Sequence, residues 1–136
     1  MKIEVSNGEI IDKYTILEIK LSEIKNEVKL VNIKNEYETL TPDVQRIYDG
    51  CKDKSQLETL QNDLLDVNKK LWKIEDEIRE CERANDFGQT FIDLARAVYY
   101  TNDDRSDVKK EINILTNSDL VEEKSYEDYK LSLIHI

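Results

Sequence analysis

"SQLETLQNDLLDVNKKLWKIEDEIRECER", residues 55–83, carries apolar side chains at Leu57, Leu60, Leu64, Val67, Leu71, Ile74, Ile78 and Cys81. The steps alternate three and four without a fault, the spacing of a coiled-coil seam four heptads long. Ser55 with Glu58 reads as a capping box, so the pattern predicts one long, straight helix from Ser55 to about Arg83. "ANDFG", residues 84–88, interrupts it, and a second seam follows at Phe91, Leu94, Val98, Thr101, Arg105, Val108, Ile112 and Leu115. Asn117 is a natural stop, since Asn tolerates the left-handed conformation that closes many helices. A connection this short forces the two helices to lie antiparallel. Counting layers outward from the turn then sets Cys81 beside Phe91, Ile74 beside Val98, Leu71 beside Thr101, Val67 beside Arg105 and Leu57 beside Leu115.

Thr101 and Arg105 fall on the seam although they are polar, and the neighbouring "TNDD" offers helix caps. Either the helix runs through with two polar residues turned inward, or it breaks at Asn102 or Asp103 and restarts. The unbroken phase favours the first. An inward Arg105 needs a carboxylate, because an unpaired buried charge is too costly, and Asp63 and Asp66 lie at about the right height. The reading preferred from sequence is that Arg105 runs its apolar stem along the seam and carries its guanidinium out to solvent.

Upstream, "KIEVS" alternates Ile3 and Val5 with polar neighbours, a short strand signal. Ser6 with Glu9 forms a capping box that starts a helix at about Asn7. Its apolar stripe runs Ile10, Tyr14, Leu17, Leu21, Ile24, Val28 and Val31, then shifts to Leu30, Ile33, Tyr37 and Leu40, which points to a kink or break near Asn26. "TPDV" is a further start signal, with Thr41 as cap and Pro42 at the first helical position, and Gly50 ends that short helix. The fold class expected is all-α: a long antiparallel hairpin packed against an N-terminal helix, with a short N-terminal strand available for pairing near the C-terminus.

Three Gly, one Pro and 37% charged residues in 136 suit a helical chain forming one domain over residues 1–130. The net charge of −10 argues against nucleic acid and anionic lipid as partners, since phosphate binding needs clustered Lys and Arg. Cys51 and Cys81 belong to no metal-ligand spacing, and no signal-type or membrane-length apolar run occurs, so the expected location is the cytoplasm with both thiols reduced. The terminal "LSLIHI", residues 131–136, follows a strongly polar stretch and equals the translation of a tagmentation adapter used in sequencing libraries. It is read as adapter sequence on a metagenomic fragment rather than as an apolar tail docked on the core, which sets aside the only histidine, His135.

The layer count also brings Trp72, Glu75, Asp76 and Arg79 level with Arg96, Tyr99 and Tyr100. Glu75, Asp76, Arg79, Arg96, Tyr99, Asn102 and Arg105 are therefore the candidate ligand-binding residues, of a kind that could hold a small anion or a sugar. Helix-surface ion pairing such as Glu75 to Arg79 is the competing account. The best enzymatic reading, an all-α nucleotide pyrophosphatase, would use Glu77, Glu80, Asp104 and Asp107 around magnesium. Glu80 sits level with about Ile92, however, and Asp104 is about 18 Å further along at 1.5 Å per residue. No nucleophile set, phosphate loop or zinc spacing is present either, so no catalytic residue, metal or cofactor is assigned.

Four blocks carry a resemblance: "MKIEVSNGEIIDKYTILEIKL", "LWKIEDEIRECE", "FIDLARAVYYTNDDRSDVKKEIN" and "LVEEKSY". In this order the chain resembles a family of short proteins from marine bacteria and phages, domain of unknown function 6165, over nearly all of residues 1–130. The resemblance implies a small helical domain and no activity. The functional reading is a non-enzymatic interaction module, binding a protein partner or itself through an exposed helix face. Its rival is a small-ligand-binding or nucleotide-processing protein using the polar layer around Glu75 and Arg96.

Overall fold

The computed structural model describes residues 1–123. Four helices form among them: α1 (Asn7–Glu23), α2 (Glu27–Asp49), α3 (Lys54–Arg83) and α4 (Gln89–Leu115). The hairpin expected from the two seams is α3 and α4, whose faces close on one another along their length. Asn85 ends α3 and Asn117 ends α4, each at positive φ, with the amides of Asp86 and Ser118 donating to the carbonyls of Cys81 and Asn113, both at 2.9 Å. Both ends are the left-handed closure that lets the final carbonyls find donors.

The break near Asn26 is real. Ile24 leaves α1 in an extended conformation, and Asn26 caps α2 by accepting from the amide of Lys29 at 3.0 Å. α2 then returns along α1, so that Tyr37 stacks on Tyr14 with ring centroids 4.4 Å apart and Glu36 pairs with Lys13 at 3.0 Å. The reversal takes Val28 and Val31 off the stripe and leaves both exposed. α1 ends up central, packed against all three other helices, whereas α2 packs chiefly on α1. The core forms where they meet: Ile11, Leu57, Leu64 and Ile112 are fully buried, joined by Tyr14, Val44, Ile47, Cys51 and Leu60. Cys51 and Cys81 are free and buried, and no described helix is long and apolar enough to cross a membrane.

Three local expectations are corrected. Residues 2–5 form no strand; Ile3 and Val5 are exposed. The segment does run beside residues 120–122 along one shallow groove. Side chains, not a backbone ladder, make the tie, with Ser6 donating to the Glu122 carboxylate and Asn113 to its other oxygen at 3.0 Å. Burial opposes the charge on Glu122, but hydrogen bonds from Ser6, its own amide and Asn113, together with Lys109, outweigh it and hold its pKa below the ordinary value.

No helix starts at Thr41, because α2 runs through Pro42. Pro42 and Glu38, whose carbonyl loses its partner, both face solvent, where water replaces the missing donor. The Thr41 hydroxyl bonds back to the Tyr37 carbonyl at 2.8 Å. Nor is Ser55 a cap, since α3 begins one residue before it and Asp53 accepts from the amide of Gln56 at 3.0 Å. Asp53→Ala is expected to lower stability by about 1 kcal/mol while Ser55→Ala stays within about 0.5 kcal/mol. Urea titration of both variants measures the difference, and the reverse ranking would restore Ser55 as the cap. The tail Leu131 to Ile136, with His135, lies outside the described residues.

Candidate functional site

The site begins with a second face of α1 that the apolar stripe does not include. Gly8, Asp12, Thr15 and Ile19 are spaced four, three and four, and all four are buried against the hairpin. Asp12 is the centre of this face. Its Oδ1 accepts from Arg105 Nε at 2.8 Å and from Asn68 Nδ2 at 2.9 Å, and its Oδ2 accepts from Arg105 Nη2. Asn68 also donates to the Thr15 hydroxyl at 2.9 Å, which in turn donates to the Asp12 carbonyl at 2.7 Å. The Asp12 side chain is 1% exposed and that of Arg105 29%. These are hydrogen bonds with both partners charged or strongly polar, out of water, where they are strongest.

Arg105 therefore neither reaches solvent unpaired nor meets Asp63 or Asp66; its partner is supplied by α1. The guanidinium is held protonated more firmly than usual by the Asp12 hydrogen bonds, against the opposing effect of burial. Along the same contact Lys109 Nζ meets Glu9 at 2.5 Å and the Gly8 amide donates to Asn113 Oδ1 at 2.6 Å. Lys109 and Asn113 lie one turn apart on the face that receives α1. Asn113 is 1% exposed.

Above the Asp12 node, α1, α3 and α4 diverge and leave an open groove of about 540 Å³. Its apolar wall is Ile16, Ile19, Leu71 and the indole of Trp72. Its polar wall holds five of the seven candidates, Glu75, Asp76, Arg79, Asn102 and Arg105, together with Asn68. Arg79 is engaged by Glu75 at 2.5 Å, so both groove arginines already have a carboxylate.

Arg96 and Tyr99 do not join them. Arg96 lines a separate cleft of about 300 Å³ with Lys70, Asp93 and Tyr100. Its Nη2 is 3.4 Å from the Tyr100 hydroxyl and its guanidinium carbon 5.8 Å from that ring's centre, while the Tyr99 ring, exposed, lies 5.3 Å from that of Tyr100. The layer count carries height along the hairpin but no direction around the helix. Tyr100 projects about 200° round α4 from Asn102, hence away from α1.

α4 is uninterrupted through Thr101–Asp104, and Thr101 is buried. Asn102 is thus no cap; it is an exposed groove residue inside a helix. Asn102→Ala is expected to change stability by no more than about 0.5 kcal/mol, with unchanged helix content by circular dichroism. A loss above about 1 kcal/mol would mark it as a structural cap after all. Among the described residues no three His, Cys, Asp or Glu side chains come together as a metal-sized group, so Glu77, Glu80, Asp104 and Asp107 do not form one.

Sequence reasoning missed Asp12, Asn68, Ile16 and Ile19. The signal for Asp12 was present in the spacing of Gly8, Asp12, Thr15 and Ile19, a helical stripe of small and polar residues beside the apolar one. Asn68 falls one position beyond the seam residue Val67, on the flank that meets α1.

Fold and groove together define an all-helical protein in which a buried ionic node beneath an open groove joins three helices. The chain matches a family of unknown function (DUF6165) over residues 1–132, and it belongs to that family. No curated protein and no solved structure matches it.

Proposed function

We propose that this protein is a binding module, and that its site is the α1–α3–α4 groove. The observation that supports this above others is convergence: Glu75, Asp76, Arg79, Asn102 and Arg105, contributed by two helices, face one space of about 540 Å³ beside Trp72. That size and the mix of an apolar wall with a few placed polar groups suit a small molecule. Trp72 is the only tryptophan in the chain, so its emission reports on the groove. A screen of nucleotides, sugar phosphates, amines and divalent cations, read by melting temperature and by Trp72 fluorescence together, tests the proposal. A compound that raises the melting temperature and shifts Trp72 emission supports it. A set of stabilising compounds that all leave Trp72 unchanged would place binding elsewhere and sink it.

The second reading is association with a protein partner, or of the chain with itself, through an exposed helix face. Apolar side chains in solvent favour it: Val28 and Val31 on α2, and Phe87 and Ile92 at the turn end of the hairpin. Light scattering across a range of concentrations tests self-association, which Val31→Ser or Phe87→Ser should then weaken.

A further inference from the structure

If the groove binds a small molecule, its charge balance decides which kind. Four ionised side chains line it, and both cations among them are spoken for locally: Arg79 by Glu75 at 2.5 Å, and Arg105 by Asp12 through Nε and Nη2. Glu75 is spent on Arg79. Asp76 remains, exposed on the polar wall, with no side-chain hydrogen bond or ion pair among the described residues. Asn102, on the opposing helix, likewise has no side-chain partner among the described residues and offers a carboxamide oxygen to the same space. Among the described residues the groove thus presents one uncompensated negative charge and a free acceptor, with no free cation.

The remaining wall suits the rest of such a ligand. The Trp72 indole is the aromatic face best able to attract a cation, and Ile16, Ile19 and Leu71 form an apolar surface for a stem. The chain as a whole carries a net charge of −10, which raises the local concentration of cations and lowers that of anions. We propose, resting on the groove being the binding site, that its ligand is a small organic cation: an amine with an alkyl or aryl stem. Its ammonium bonds to Asp76 and Asn102, and its stem lies against Trp72 and the α1 isoleucines. This departs from the anion or sugar that the side-chain inventory suggested, because the arginines that would hold an anion are each neutralised by a carboxylate.

The full chain is titrated with phenethylamine, agmatine and putrescine, and in parallel with inorganic phosphate, glucose 6-phosphate and N-acetylphenethylamine, following Trp72 emission and melting temperature. At least one amine is expected to give a saturable change, with its neutral N-acetyl counterpart and the anions giving none. Asp76→Asn, a surface change that leaves the fold intact, is expected to weaken amine binding about tenfold or more. Saturable binding of an anion without any amine would overturn the ligand class and leave the groove as the site. Amine binding that Asp76→Asn leaves untouched would overturn the role of Asp76 and with it the proposal. No saturable Trp72 response to any of the probes would overturn both the ligand class and the groove.

Discussion

Asp12→Ala is expected to destabilise the protein by about 3–5 kcal/mol, the range for removing one partner of a buried ion pair. The cost comes from what is left behind. Arg105, with under a third of its side chain exposed, keeps its charge but loses both oxygens it donates to, and Asn68 loses one of its two acceptors. For a chain of this size that is a large share of a total that ordinarily lies between about 5 and 15 kcal/mol. Urea unfolding of the single variant, of Arg105→Met, and of Asp12→Leu combined with Arg105→Met separates the pair's own worth from the penalty of orphaning one member. The double variant is expected to recover much of the loss, since two apolar side chains leave no uncompensated charge. If Asp12→Ala cost less than about 1 kcal/mol, Arg105 would have to be reaching solvent, as its sequence position alone suggested.

Gly8→Ala is expected to cost about 2–4 kcal/mol, in a direction opposite to the usual effect of that change in a helix. A Cβ at Gly8 would stand 2.5 Å from the Lys109 carbonyl oxygen and 2.9 Å from Asn113 Oδ1. The first atom is backbone inside α4 and cannot turn aside, so α1 must move out, stretching the 2.6 Å hydrogen bond from the Gly8 amide to Asn113. Trimming the second atom with Asn113→Ala therefore should not rescue Gly8→Ala, which distinguishes a backbone clash from a side-chain one. Thermal unfolding of the single and double variants makes the comparison. A neutral or stabilising Gly8→Ala would show that α1 does not approach α4 this closely.

The hairpin was legible because Leu57 to Cys81 and Phe91 to Leu115 each keep one period for about eight layers, and because five residues between helices permit one relative direction. The central place of α1 was not. A helix with three neighbours buries most of its circumference, and the part facing the hairpin includes Gly8, Asp12 and Thr15, residues that composition assigns to the surface. Once that face was taken as outward, Arg105 had no visible partner and was sent to solvent. Caps failed for a narrower reason. Asp53 and Ser55 both carry suitable oxygens two residues apart, and Thr41–Pro42 carries the chemistry of a helix start within a helix held on either side of it, at Tyr37 by Tyr14 and at Val44 and Ile47 by the core. For the candidate site, height along the hairpin was available from counting. Direction around each helix depended on which side α1 covers, so Asn102 and Arg105 arrived in the groove and Arg96 and Tyr99 did not.

The notch at Gly8 also governs sliding. Two helices that meet through leucines can shift past each other by a turn, about 5.4 Å, and find a second fit of similar quality. α1 and α4 have no such alternative. Shifting α1 by one turn would bring Asp12 to where Gly8 now sits, placing a side chain against the Lys109 carbonyl and a carboxylate beside the amide oxygen of Asn113. Arg105 would at the same time lose Asp12. A contact built from one missing side chain and a few directional bonds has a single alignment, and that alignment fixes how far α1 reaches along the hairpin and hence where the groove opens.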